Sequence, residues 1–201
     1  MTVLKTATIA LVSGFSECQR SEVAALYLTA FAPKLKRILG RGPRLHAYVA
    51  GCLDPDFAIL AVDAATNTIV GIAGYRTEYG GLTNRISSNL RPHYGSFGGF
   101  WRGAILTLLE LPERSDKLLV DGIAVAASHR DQGVGTKLLR ALDDKAVQLG
   151  KHGVRLDVVD NNLRARALYE RQGYTVTSVH DLGALRLLFG FRRATQMTKM
   201  L

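Results

Sequence analysis

The chain has 201 residues, 47% of them hydrophobic, with 26 Lys and Arg against 17 Asp and Glu and a formal net charge of +9. That size suits a single domain, 1–201, with a sizeable buried core, and no internal period or biased tract marks it as repetitive or disordered. The positive balance favours an anionic partner such as nucleic acid, a membrane surface or a phosphorylated small molecule, but its basic residues are scattered, with no run of five or six like charges, so a solvated basic surface explains it equally well.

The opening MTVLKTATIALVSGF has one lysine and a short apolar run. Threonines interrupt the run and no small-x-small cleavage site follows, so it reads as a strand over 6–15 rather than a signal peptide. SECQRSEVAALYLTAFAPKLKRILG reads as a helix, with Val23, Leu26, Tyr27, Ala30 and Phe31 on one face. Pro33 lacks an amide hydrogen and is expected to kink or restart it, and Gly40 and Gly42 to stop it. RLHAYVAGCL is a shorter helix. FAILAVD (57–63) and TIVGIAGYRTEY (68–79) are strands joined as a hairpin through AATN.

Residues 80–116 break the rhythm, as an insertion between the third and fourth predicted strands. GGLTNRISSNLRPHYGSFGG reads as loop and FWRGAILTLLEL (100–111) as a short helix. KLLVDGIAV (117–125) is a strand with AASHRDQG as its exit loop. VGTKLLRALDDKAVQLG is the clearest helix, with Leu138, Leu142, Ala146 and Leu149 on one face and Gly150 at its end. GVRLDVVD (153–160) is a strand, and NNLRARALYERQG (161–173) a helix capped by Asn161 or Asn162 and closed by Gly173. YTVTSVH is a further strand, and RATQMTKML closes the sheet as an edge strand. The fold class is mixed α/β, and the alternation over 117–180 argues for parallel pairing in part of the sheet.

No apolar stretch approaches the roughly 20 residues of a bilayer span. Cys18 and Cys52 show neither metal-site spacing nor the density of a disulfide framework. They read as buried or bystander thiols of a reducing, cytoplasmic compartment, and no metal site is expected.

Between the fourth strand and the clearest helix lies HRDQGVGTKLL, 129–139. A nucleotide-triphosphatase loop needs a Lys directly after its last Gly, and here Thr136 intervenes. A dinucleotide fingerprint needs a third Gly where Leu138 stands. What remains is either an ordinary turn or an anion nest. In the second case the free amides of a helix start receive a pyrophosphate, and Gly133 and Gly135 leave the backbone open to it.

IAVAASHRDQGVGTKLL resembles the acetyl-coenzyme A motif of the GNAT acyltransferase superfamily, [QR]-x-x-G-x-[GA], with Arg130, Asp131, Gln132, Gly133, Val134 and Gly135 in register. NNLRARALYERQGY resembles the same family's N-x-x-A-x-x-L-Y-x-x-x-G-[FY], through Asn162, Ala165, Leu168, Tyr169, Gly173 and Tyr174. The resemblance is firm over 117–174; before it only the element order agrees. It implies a mixed, partly parallel twisted sheet flanked by helices, with two parallel strands that splay apart. Acetyl-coenzyme A is implied as acyl donor, its pantetheine arm along the edge at Ile123 and Val125 and its pyrophosphate on the amides of 130–135. Thr136 and Asn162 complete the expected cofactor contacts.

The resemblance also puts Tyr169 near the cofactor sulfur as general acid; the alternative is a core-facing tyrosine. Asp121, a carboxylate inside an apolar strand, is the first choice of base; the alternative is a partner for an internal arginine. With a period of two, Leu119, Asp121, Ile123 and Val125 share a face. Glu78, Tyr79, His93 and His129 are weaker candidates. His93, Tyr94, Phe97, Phe100 and Trp101 cluster within the insertion, where they wall an acceptor pocket or pack the extra helix.

The expected function is transfer of an acetyl group to a primary amine of a small molecule or protein, directly within a ternary complex. The competing readings are an acyl-coenzyme A sensing module without turnover and a nucleic-acid binder based on charge alone. No nucleic acid or membrane partner is expected, and a homodimer is the default oligomer.

Overall fold

A computed structural model describes residues 8–83, 90, 93–94, 116–183, 186 and 190–201, of which 33, 34 and 37 are described by backbone only. The helix expected over 100–111, and most of the insertion, lie outside the described residues. The chain runs β1 (Ile9–Ser13), α1 (Arg20–Leu39), α2 (Pro43–Cys52), β2 (Ala58–Asp63), β3 (Thr68–Thr77), β4 (Gly80–Gly81), β5 (Leu118–Val125), α3 (Val134–Gln148), β6 (Gly153–Val159), α4 (Leu163–Arg171), β7 (Thr175–Asp181) and β8 (Arg193–Met200). No helix of the described residues is long and apolar enough to cross a membrane.

The strands form one sheet in the order β1-β2-β3-β5-β6-β8-β7, with β4 paired to β3. The expected hairpin forms between β2 and β3, its turn carrying Asn67 in the left-handed region at φ 52°. The expected parallel pair is β5 with β6; every other pairing is antiparallel.

β8 is not the edge strand that its sequence suggested. It lies between β6 and β7, and β7 is the edge. Burial shows why: Thr195, Met197 and Thr198 of β8 are buried, whereas Val176 and Val179 of β7 stand exposed. α1 likewise runs on through Pro33. The lost hydrogen bond is offset downstream, where Leu35, Ile38 and Leu39 bury themselves.

Helices cover both faces of the sheet. Val23, Leu26, Ile38 and Leu39 of α1, with Tyr48 and Val49 of α2, pack on one face against Leu60, Ile72 and Ala124. On the other, Val134, Leu138, Leu139, Leu142 and Ala146 of α3 meet Ala61, Val70, Ala73, Leu118 and Leu156. Leu149, expected on that stripe, lies past the helix end and is 42% exposed.

β6 and β8 approach closely where Gly153 sits. A Cβ there would stand 2.5 Å from the Lys199 carbonyl oxygen, a backbone atom inside a ladder that cannot yield. Gly153→Ala is therefore expected to destabilise the protein by about 1–3 kcal/mol, read as a lowered denaturant midpoint.

Two irregularities in β5 shape the middle of the sheet. The register with β3 slips so that Gly122 faces Gly74 and Val120 faces Tyr75, leaving Asp121 without a partner in the ladder. This bulge breaks the expected period of two. Ile123 and Val125 pack on the α3 side together with Leu118 and Val120, while Asp121 turns toward Arg76 and Thr83. Second, β5 and β6 pair only at Leu118–Val154 and Leu119–Arg155. Beyond that β6 stays with β8 along its length, so among the described residues no strand pairs with the edge of β5 from Val120 to Val125.

Candidate active site

The open edge of β5 leads directly into the glycine turn. Ala127–His129 makes one short 3-10 turn, and α3 starts at Val134. Gly133 caps the helix at φ 78°, ψ 1°, a left-handed conformation that favours glycine, and no side chain caps the helix start. The amides of Val134, Gly135 and Thr136 belong to the first turn, where a helix has no carbonyl to offer them. A Cβ on Gly133 would meet nothing within 4 Å. Donors with no partner among the described residues, the positive end of α3 and space above Gly133 free of described atoms together fit an anionic phosphate group.

The turn's side chains fix its shape. Arg130 Nε donates to the Val125 carbonyl at 3.2 Å, tying the turn to the end of β5. Gln132 Nε2 donates to the Ser128 carbonyl at 2.8 Å. Asp131, at φ 62°, pairs with Arg164 at the start of α4. Arg164 lies inside the second motif and was not singled out from sequence; its link to Asp131 becomes visible only once the turn is folded. Gly135 has a packing role as well, because a Cβ there would stand 3.0 Å from Leu168 Cδ2. The turn and α4 are thus held in contact.

Asn162, one of the two expected caps of α4, accepts from the Ala165 amide at 3.2 Å. About two turns on, Tyr169 packs against the buried core on the α3 side of the sheet, the same core that Ile123, Val125, Ala165 and Leu168 border. Its ring centroid is 6.1 Å from that of Tyr174. Burial pushes the Tyr169 phenol up to about 12, so it holds its proton throughout the neutral range.

Asp121 lies elsewhere. Its Oδ1 accepts from Arg76 Nε at 3.0 Å, and its Oδ2 accepts from the Thr83 amide at 3.0 Å and from Thr83 Oγ1 at 3.2 Å. The Asp121 side chain is 5% exposed and that of Arg76 10%. This is an internal ion pair. Its signal was present in β3, where Arg76 is a lone charge in an apolar run. The pair adjoins Tyr27 of α1, whose phenol is raised chiefly by burial and further by the Asp121 charge. Tyr27 stacks on Phe31 at 4.2 Å, and Phe31 lies over Gly122, where a Cβ would overlap its ring.

Of the residues expected at the site, Ile123, Val125 and Tyr169 therefore lie on the α3 side of the sheet against one core, while Asp121 turns to Arg76. Glu78 pairs with Lys151 at 2.8 Å. His129 Nε2 lies 3.4 Å from Asp63 Oδ2, which ties the turn to the end of β2.

Residues 23–174 match the family model described as the Acetyltransferase (GNAT) family. A relative in Xenopus tropicalis, "Probable N-acetyltransferase camello", is 36% identical over 73 residues, 36% of this chain and 33% of that protein; the match thus spans about a third of the relative's length. Among solved structures, an N-acetyltransferase from Staphylococcus aureus Mu50 is similar with a TM-score of 0.71 and 16% identity, covering 94% of this chain and all of that one. A GCN5-related N-acetyltransferase from Kribbella flavida gives 0.60 and 15% identity, covering 96% and 98%. At these identities the two structures speak for the fold alone.

Proposed function

The chain belongs to the GNAT acetyltransferase family, and from that premise we propose that it transfers an acetyl group from acetyl-coenzyme A to a primary amine of a small molecule or protein, within a ternary complex. The observation that carries this reading is the juxtaposition of two features: a parallel pair that separates after two register positions, and an uncapped helix start at the mouth of the separation. An extended amide-bearing arm suits the open edge of β5, in the manner of strand addition. A pyrophosphate suits the first-turn amides of α3.

Bound acetyl-coenzyme A would supply the thioester carbonyl that the amine attacks. The chain's own residues do the rest. Val134, Gly135 and Thr136 offer amide donors, and Arg130 holds their turn against β5. Ile123 and Val125 present the edge that orients the donor. Tyr169 holds a proton beside that edge, ready for the departing sulfur as the carbon–nitrogen bond forms and the carbon–sulfur bond breaks; the amine's proton leaves to solvent. Asp121 enters as the partner that fixes Arg76, beside Tyr27 and Phe31.

Thiol release from acetyl-coenzyme A, measured across amines, polyamines, amino acids and peptides, tests the reading. Acceptor-dependent release supports it; coenzyme A binding with no release on any acceptor would favour a sensing module. Gly133→Asp tests the cradle itself. Aspartate tolerates the left-handed conformation, and its charge would occupy the open space over the amides. Coenzyme A affinity is expected to fall at least tenfold, about 1.4 kcal/mol, with the thermal midpoint nearly unchanged. Calorimetry reads both.

A further inference from the structure

We propose a second binding site, for a carboxylate, in a polar recess on the sheet at the closed end of the β5–β6 pair. Arg155 lies at its centre, with Asp116, Lys117, Thr175, Gln196 and Thr198 around it. The site owes nothing to the acetyl-transfer reading. It lies at the opposite end of β5 from the glycine turn. Its face is also the other one: Val154 and Leu156, which flank Arg155 in β6, belong to the α3-side core, so Arg155 points away from Tyr169.

The register builds the recess. Arg155 stands opposite Thr198 of β8, and Thr198 opposite Thr175 of β7. A guanidinium and two hydroxyls thus form a row across three strands. Charge then selects the ligand. Lys117 Nζ contacts both oxygens of Asp116, at 2.9 and 3.1 Å, and this ammonium holds the Asp116 carboxyl below its ordinary range. Those two charges cancel. Arg155 has no carboxylate within ion-pair distance among the described residues. Its Nε is buried and no group of the described residues accepts from it. A guanidinium is charged at every physiological pH, and buried donors in proteins are ordinarily paired. A planar donor fork with one uncompensated charge matches a carboxylate, which takes two parallel N–H bonds. Thr175 Oγ1 donates to the Thr198 carbonyl at 3.3 Å, while Thr198 Oγ1, 3.4 Å from Thr177 Oγ1, can accept from Thr177 and turn its own proton to a remaining lone pair of the carboxylate.

Succinate is a suitable probe, titrated into the full chain at constant ionic strength and followed by nuclear magnetic resonance on the Arg155 Nε–H and the backbone amides. The expected result is a saturable shift of Arg155 Nε–H and of the Thr175 and Thr198 amides, with affinity in the millimolar range. Thr198→Val keeps the branched shape and removes one hydroxyl, and is expected to weaken binding several-fold. Arg155→Gln is expected to abolish the shifts at Thr175 and Thr198. A linear drift without saturation, saturation confined to the amides of 133–136, or undiminished binding by Arg155→Gln would each overturn the proposal.

Discussion

Replacing Tyr169 by phenylalanine is expected to lower the turnover number by roughly 10²- to 10⁴-fold, the range that general acid catalysis supplies. The substitution keeps the ring that packs against the α3-side core and removes only the hydroxyl, so coenzyme A affinity and the thermal midpoint should change little. The sign of the pH dependence follows from the raised phenol. Unfolded tyrosine loses its proton near 10, whereas the folded group does so at about 12. Below 10 both states are protonated and this group's contribution to stability is constant; it is lost as pH rises through the folded value. The acid is therefore available across the working range, and wild-type turnover should not fall on account of Tyr169 until strongly alkaline pH. A phenylalanine variant as fast as wild type on the same acceptor would remove Tyr169 from the mechanism.

Asp121→Ala is expected to cost about 3–5 kcal/mol of folding stability, because it leaves the Arg76 guanidinium buried without its counter-charge. The Thr83 amide and hydroxyl lose their acceptor at the same stroke. Arg76→Met combined with Asp121→Leu should recover much of the loss, since a buried ion pair and an apolar pair of similar volume are often close in stability. Chemical denaturation measures both. Asp121→Asn separates this role from that of a base. An ion-pair partner predicts a pH–rate profile parallel to wild type on the same acceptor. A base predicts a loss that recovers at high pH, where the amine is already deprotonated.

Local chemistry was legible in the sequence to the degree that it is local. The turn between β5 and α3 announces itself by Gly133 and Gly135, and the start of α4 by Asn162, because caps and left-handed turns depend on a few adjacent residues. Strand existence was equally plain in β2, β3, β5 and β6, from short apolar runs. Strand partners were not. β8 has the alternation of a half-exposed strand, and nothing in RATQMTKML says that two strands rather than one will flank it. The same limit applies to Asp121. A bulge is a disagreement in count between two strands, so it is invisible in either one, and it moved Asp121 off the face of Ile123 and Val125. Arg76 and Asp121, 45 positions apart, each read as an oddity in an apolar strand. Only the pairing of β3 with β5 makes them one feature.

The position of β8 has a consequence in time. β6 and β7 are separated by β8 in the sheet, yet both precede it in the chain. During synthesis the two strands emerge with their shared neighbour still to be made, and neither can complete its ladder until that strand arrives. The glycine turn and Tyr169 likewise leave the ribosome before the sheet beside them can close. The half of the domain after β5 is thus expected to gain its order late and in one cooperative step, with β7 as an exposed, unpaired edge in the interval.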